Sequence, residues 1–467
     1  MIPRGNASSS AFNVPMALHL SGEQTGGFNP KHAKSRNSRN VQEAEKFILG
    51  PMPIQDFLDA FLEDSASDEK KTTCVRAGML SMPYHSAVRK PQISRNLWYV
   101  HRCSGPSSCL MAMITSCPFK LTALRSSTKY KSRCPGFSFQ NTSARIRHAQ
   151  RLSSMKPDII CFASRHLDAV KSSSRRSRAD LGYAALFIDV KPDPEQDFFT
   201  DPPPDADADA LDSHQFILNI DDEDTRQQAS RALGQHISYV TEVCARQHRT
   251  FCYSISMAGS LARLIRWDRS GAIVTESFDI REHPGHLCEF LWRFSQVSDV
   301  ERGYDPTVGP AGEGEERLFR EAITTYVKLQ LDVEEDELRQ AVREHYKRGA
   351  VSAIHVTVKD DDGYHNRRFI VSRPMMSPLW LVGRGTRGYW AVDADSHQVV
   401  FLKDTWRYDG EDDDREGNIL DGLNDLGVRY VPTVLCHGDV PKDALEQLER
   451  NDPGMWFLLF RYMYIDV

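Results

Sequence analysis

Residues 377–406 read SPLWLVGRGTRGYWAVDADSHQVVFLKDTW, and their reading decides the fold of the C-terminal half. Gly383, Gly385 and Gly388 form a GxGxxG spacing behind what reads as an apolar strand. That spacing alone is weak. A dinucleotide-binding fingerprint would run from its glycines into a helix. Here GYWAVDADSHQVVFLK instead predicts a strand, an Asp-Ala-Asp-Ser turn and a second strand that carries Lys403.

A glycine-rich hairpin followed by a strand lysine is the order of a protein-kinase N-lobe, where the loop covers the ATP phosphates and the lysine contacts them. The arrangement needs a helix glutamate to hold that lysine. REGNILDGLNDL, Arg415 to Leu426, offers Glu416, with Ile419, Leu420, Leu423 and Leu426 on one face. The plainer alternative is a hairpin with an exposed lysine beside a surface-helix carboxylate. His437-Gly438-Asp439 fails as a catalytic loop, because the fifth position after Asp439 is Ala444 instead of Asn and Asp439 follows Lys403 by only 36 positions. Those three residues are expected to form a turn after VRYVPTVLC. The apolar tail WFLLFRYMYIDV is what an interrupted lobe would leave. No Asp-Phe-Gly equivalent follows, so the chain reads as truncated before the catalytic loop and inactive.

A second constellation lies upstream. LGYAALFIDVKPDP, Leu181 to Pro194, is an apolar strand ending in Asp189 and Lys191, whose side chains project from the same face. With Pro157-Asp158 at the start of the earlier strand KPDIICFAS, these are the residue types of a PD-(D/E)xK nuclease core. Asp158 and Asp189 would hold a hard Mg2+ through oxygen, and Lys191 would orient the attacking water. Gln235 and Tyr239, four apart on the helix Arg226 to His248, share a face that could reach the same place. The alternative is structural, with Asp158 capping a turn, Lys191-Pro192 closing a strand and Gln235 and Tyr239 as half-buried helix residues.

The remaining chain sets the organisation. At 467 residues it is long enough for two or three domains. Residues 1–45 read as a disordered leader, 46–149 as a poorly defined region holding a short amphipathic helix within Gly50–Leu62, and 150–300 as the nuclease-like α/β domain. Residues 301–350 read as a helical connection and 351–467 as the kinase-like fragment. The acidic loop Asp193–Asp212 is expected to stay out of any core. Residues 72–127 carry His101, Cys103, Cys109 and Cys117 without a CxxC, which argues against structural zinc and for an insertion or a mistranslated intron. The net charge of −6 hides an asymmetry, with 27 Lys and Arg against 12 Asp and Glu over residues 1–180 and 31 against 52 over 181–467. Such a split is compatible with nucleic-acid binding or with two halves that neutralise each other. Ten scattered cysteines, no secretory pattern and no apolar run near the length of a membrane helix predict an intracellular protein, cytoplasmic or nuclear, away from membranes.

Taken together, FIDVKPDP, GQHISYVTEVCARQHRTFCYSISM, ARLIRWDRSGAIVTESFD, LCEFLWRFSQ, GRGTRGYWAVD, VVFLKDTWR and VPTVLCHGDV resemble the fungal-type protein kinase family of mushroom-forming fungi. The resemblance implies an α+β, mixed α/β chain leading into an atypical kinase domain, with ATP and Mg2+ as cofactors and phosphorylation of an unknown protein substrate. It places Gly383, Gly385, Gly388 and Lys403 on the ATP-binding loop and strand, and Glu416 as the lysine's partner. Two other readings stand beside it, a metal-dependent nuclease-like or DNA-binding protein and a non-catalytic interaction module.

Overall fold

The computed structural model describes residues 33–62, 133–142, 156–172, 181–331, 333–360, 363–378, 380–408, 416–439 and 457–465. The cysteines expected not to bind zinc, Cys103, Cys109 and Cys117, lie outside them, as does most of the basic loop Lys171–Arg178. The chain divides into two compact units between Tyr304 and Asp305.

The N-terminal unit runs through α1 (Ala33–Ala44), β1 (Ile48–Met52), α2 (Ile54–Phe61), β2 (Phe137–Asn141), β3 (Ile159–Ala163), α3 (Leu167–Ser172), β4 (Ala184–Lys191), α4 (Ala208–Ser213), α5 (Glu223–Arg246), β5 (Phe251–Ala258), β6 (Leu261–Asp268), β7 (Ala272–Thr275), β8 (Phe278–Asp279) and α6 (Pro284–Gln296). Its sheet has the order β1-β7-β6-β5-β4-β3-β2, with β8 beside β6. The pairs β1/β7 and β4/β5 are parallel and the others antiparallel. Every residue of β3 and β5 is buried, which is why β3 reads as a continuous apolar run, while β5 also buries Ser254 and Ser256. On one side Tyr253 of β5 packs edge-on against Phe57 of α2 and Phe290 and Phe294 of α6. On the other, Phe187 of β4 meets His236 and Tyr239 of α5. Helix α5 begins where Asp222 accepts a hydrogen bond from the Thr225 amide, and it buries Leu233, Ile237, Val240, Val243 and Cys244 as its periodicity predicts.

Two expectations for this unit need correction. Residues 33–44, inside the supposed disordered leader, form α1, which lies against α5 through polar groups. Ser238 Oγ donates to Asn37 Oδ1 at 3.0 Å and accepts from Asn40 Nδ2 at 2.8 Å and Arg36 Nε at 3.3 Å. A Cβ on Gly234 would overlap the Asn37 carbonyl, so the glycine admits the close approach. The acidic loop also enters the core. Phe198 and Phe199 are buried, and Asp197 and Asp201 pair with the buried Arg263 at 2.9 and 2.5 Å. The loop's charge is spent partly on that guanidinium.

The C-terminal unit contains β9 (Val308–Pro310), α7 (Glu313–Gln330), α8 (Glu335–His345), β10 (Ser352–Asp360), β11 (Gly363–Val371), β12 (Arg387–Asp393), β13 (Val399–Tyr408), α9 (Glu416–Asp425), β14 (Thr433–Asp439) and β15 (Phe457–Ile465). Its antiparallel sheet has the order β14-β15-β13-β12-β11-β10-β9. One face buries Ile354, Val356, Phe369, Val371, Tyr389, Ala391, Val400 and Leu402. The other packs Ile370 and Val392 under Phe319, Ile323 and Val327 of α7 and Val342 of α8. Thus α7 and α8, read as a connection over 301–350, cover the sheet of this unit.

The ends of the sheet differ from expectation. His437-Gly438-Asp439 is the end of strand β14, not a turn. Gly438 fits because a Cβ there would overlap the Thr357 carbonyl of β10, so the sheet curls until β14 approaches β10. Phe457–Ile465, taken as the remnant of an interrupted lobe, inserts as β15 between β13 and β14. No strand precedes the glycine loop among the described residues of 372–386; an isolated bridge joins Met376 to Gly388. The hairpin read from GYWAVDADSHQVVFLK is β12–β13, and its turn is tied by the Asp393 carboxylate accepting from the amides of Asp395 and Ser396.

Candidate functional site

Alternation along β13 sorts its side chains. Val400 and Leu402 enter the core, while Phe401, Lys403 and Thr405 project from the opposite face. Lys403 meets the first residue of α9 there, and its Nζ lies 2.9 and 2.7 Å from the two carboxylate oxygens of Glu416. The lysine and glutamate are 13 positions apart in the chain and form a bidentate ion pair. Both ends keep solvent contact, with side chains 22% and 43% exposed, so the pair orients the ammonium more than it stabilises the fold.

The glycine loop is fastened beside this pair. The Arg384 carbonyl accepts from the Trp406 amide at 2.8 Å, and the Thr386 and Thr405 hydroxyls lie 2.8 Å apart. Gly383 has φ +100°, and among the described residues nothing comes within 4 Å of where a Cβ would lie, so its backbone is open to a close neighbour. Gly385 is also left-handed, at φ +49°. Gly388 behaves differently. It lies in β12 directly across from Lys403, and a Cβ there would sit 2.6 Å from the Phe401 ring. Its small size therefore admits Phe401. Phe401 in turn meets Trp390 edge-on, with centroids 5.5 Å apart.

Sequence reading missed the groups behind this face. Arg387 and Asp404 are cross-strand partners joined at 2.5 Å, with side chains 4% and 0% exposed. Burial works against the Arg387 charge, yet Asp404, with Tyr389 and Asp305, outweighs it and raises the guanidinium pKa. The available signal was an arginine in GRGTRG and an aspartate in KDTW on the two strands of one hairpin, and it needed the β12–β13 register to be interpreted.

In the N-terminal unit, β3 and β4 are neighbours, as the upstream constellation required. Asp158 Oδ2 accepts from the Val190 amide at 2.9 Å. Asp189 is buried and ion-paired with Lys191, whose Nζ lies 3.0 and 2.8 Å from its oxygens. Tyr239 donates its hydroxyl hydrogen to the Lys156 carbonyl at 3.1 Å, beside Pro157, and Gln235 is buried on the same helix. The residue missed here is His236. Its Nδ1 faces Asp189 Oδ2 at 3.7 Å, and its Nε2 lies 2.7 Å from Ser254 Oγ, which also accepts from Trp267 Nε1 at 2.8 Å. The indole can only donate to Ser254 Oγ, while the hydroxyl can either donate to His236 Nε2 or accept from it, depending on the imidazole tautomer. Burial pushes the His236 pKa down against the pull of Asp189. Burial opposes the Asp189 charge, but Lys191 and His236 outweigh it and hold the carboxyl well below its usual range. Among the described residues no group of three or more His, Cys, Asp or Glu side chains could hold a metal ion. Among them too, no helix is long and apolar enough to cross a membrane.

A strand lysine held by a helix glutamate beside a glycine loop is the geometry of a kinase-like lobe. A sequence model described as fungal protein kinase matches residues 208–452, more than half of the 467, and the chain belongs to the fungal protein kinase family. The match includes Gln235, Tyr239, the glycine loop, Lys403 and Glu416 but begins after Asp158, Asp189 and Lys191. No curated protein and no solved structure matches the chain.

Proposed function

We propose that the C-terminal unit is a nucleotide-binding lobe in which Lys403, aimed by Glu416, contacts the phosphates of ATP beneath the loop Gly383–Gly388. The observation that carries the reading is the bidentate Lys403–Glu416 pair, because an ammonium held at a fixed place is what phosphate contact requires. Open space at Gly383 supports a backbone approach to the phosphates. Family membership brings a general expectation of Mg2+ as well. Among the described residues no group of three or more ligating side chains could hold a metal by itself, so a nucleotide's Mg2+ would be held chiefly by the phosphates and water. Residues 404–467 offer no match to the catalytic-loop Asp and Asn or to Asp-Phe-Gly. The 467-residue chain is therefore expected to bind nucleotide without transferring phosphate. Calorimetric titration of the purified chain with Mg-ATP tests this. Lys403→Met should weaken binding about 10- to 100-fold, the worth of a charged hydrogen bond. Equal affinity in the two proteins, or phosphate transfer lost in Lys403→Met, would overturn the respective half of the reading.

A second reading, a nuclease-like or DNA-binding N-terminal unit, is favoured by the adjacency of β3 and β4 and by the Asp189–Lys191 pair at the β4 tip. On this reading Asp158 and Asp189 would hold the metal and Gln235 and Tyr239 would flank it. DNA and Mn2+ titrations of Asp189→Asn and Gln235→Ala separate it from the first, which predicts no change in either variant.

A further inference from the structure

Helix α9 is held by a different face from the one that carries Glu416. Gly417, Asp421 and Asn424 recur at i, i+4 and i+7, so they lie on one side of the helix. That side meets β14. A Cβ on Gly417 would overlap the His437 ring, and Asp421 Oδ2 lies 2.8 Å from His437 Nε2. Asn424 accepts from the Val434 amide at 2.9 Å and donates to the Pro432 carbonyl at 3.0 Å. The apolar stripe expected for α9 is covered only in part, with Leu420 and Leu423 half-buried, Ile419 48% exposed and Leu426, just past the helix end, 80% exposed. Short polar bonds thus share with the partial burial of Leu420 and Leu423 the work of locating the helix. Strand β14 pairs with β15, and β15 pairs with the strand of Lys403. Both fixing points of α9 therefore belong to one hydrogen-bonded sheet.

We propose that Asp421 and His437 form a latch, with Gly417 admitting the imidazole, that positions Glu416 on Lys403. Asp421 and His437 are then positioning residues, and the purpose of the latch rests on the nucleotide-lobe reading above. An apolar-anchored helix would tolerate the loss of one surface hydrogen bond. A helix located in part by a few polar bonds shifts when one is cut, and Glu416, at its first turn, shifts with it.

The test reads the ion pair directly, without nucleotide. The full chain is treated with an amine-reactive ester, and modification of Lys403 is followed by peptide mass spectrometry. Glu416→Gln should raise the Lys403 rate roughly 2- to 5-fold, the worth of a partly exposed pair. Asp421→Ala alters a half-exposed side chain without emptying a core, and should give the same rise. Asp421→Asn keeps an oxygen acceptor for His437 and should stay at the wild-type rate. The double variant Glu416→Gln/Asp421→Ala should add nothing further, with hydrogen exchange of β12 and β13 unchanged throughout. A wild-type rate in Asp421→Ala, additive effects in the double variant, or a Lys403 rate indifferent to Glu416→Gln would overturn the latch. Mg-ATP titration of the same proteins judges the nucleotide reading separately, since a wild type that fails to bind ATP refutes that reading while the labelling still decides the latch.

Discussion

Replacing Asp404 by Ala should be the most damaging single change in the C-terminal unit. Asp404 is fully buried on β13 and meets Arg387 at 2.5 Å across the hairpin. Removing it strands a guanidinium whose side chain is 4% exposed. Breaking one end of a buried pair costs about 3–5 kcal/mol, because the remaining charge keeps its desolvation penalty. Asp305, also buried and electrostatically coupled to Arg387, offsets part of that loss. The expected value is therefore near the lower end, about 3 kcal/mol. At ~2–4 °C per kcal/mol for a domain of this size, the unit's melting temperature should fall by roughly 6–12 °C. Hydrogen exchange under increasing urea resolves the effect by peptide, with β12 and β13 losing protection while β5 and β6 keep theirs. The double variant Arg387→Met/Asp404→Leu should recover most of the loss, since an apolar pair of similar volume removes both charges. A loss below about 1 kcal/mol in Asp404→Ala, or a double variant as unstable as the single, would refute the claim that the penalty is the stranded charge.

The His236 network predicts a pH dependence. The unfolded imidazole takes up a proton near pH 6.5 while the buried one resists, so the unfolded state binds more protons below that pH and stability falls as the pH drops. His236→Gln should remove up to ~1.4 kcal/mol per pH unit of this slope in urea titrations between pH 5 and 7, and an unchanged slope would contradict the assignment. His166, His286 and His345, also lowered by burial, supply a residual slope. Asp189 acts further down, contributing stability that is present above about pH 4 and lost as the pH falls below it. In the helix pair, Gly234→Val should push α1 off α5, because the added carbon meets backbone at Asn37. Loss of exchange protection over residues 33–44, with β4 and β5 unaffected, is the expected signature.

Much of this was legible where burial leaves a plain pattern. β3 and most of β4 are buried and read as apolar runs, and α5 shows its period through Leu233, Ile237, Val240 and Cys244. The Lys403–Glu416 pair was legible because a hairpin, a strand lysine and a helix carboxylate follow in order. What was not legible depends on contacts distant in sequence. Helix α1 packs through Asn37, Asn40 and Arg36, polar residues that carry no hydrophobic period. Gly438 resembles a turn residue, and only the approach of β10 makes it a strand residue. Gly388 resembles a phosphate-loop glycine until the register places Phe401 against it.

On the nucleotide-lobe reading, Lys403 faces the phosphates of a bound nucleotide. An acyl-phosphate derivative of ATP transfers its acyl group to whichever lysine amine lies at the phosphates, and peptide mass spectrometry of the labelled full chain identifies that lysine. The expected result is acylation at Lys403 that excess ATP suppresses and that Glu416→Gln reduces. Labelling spread over other lysines, or labelling at Lys403 that ATP does not suppress, would contradict it.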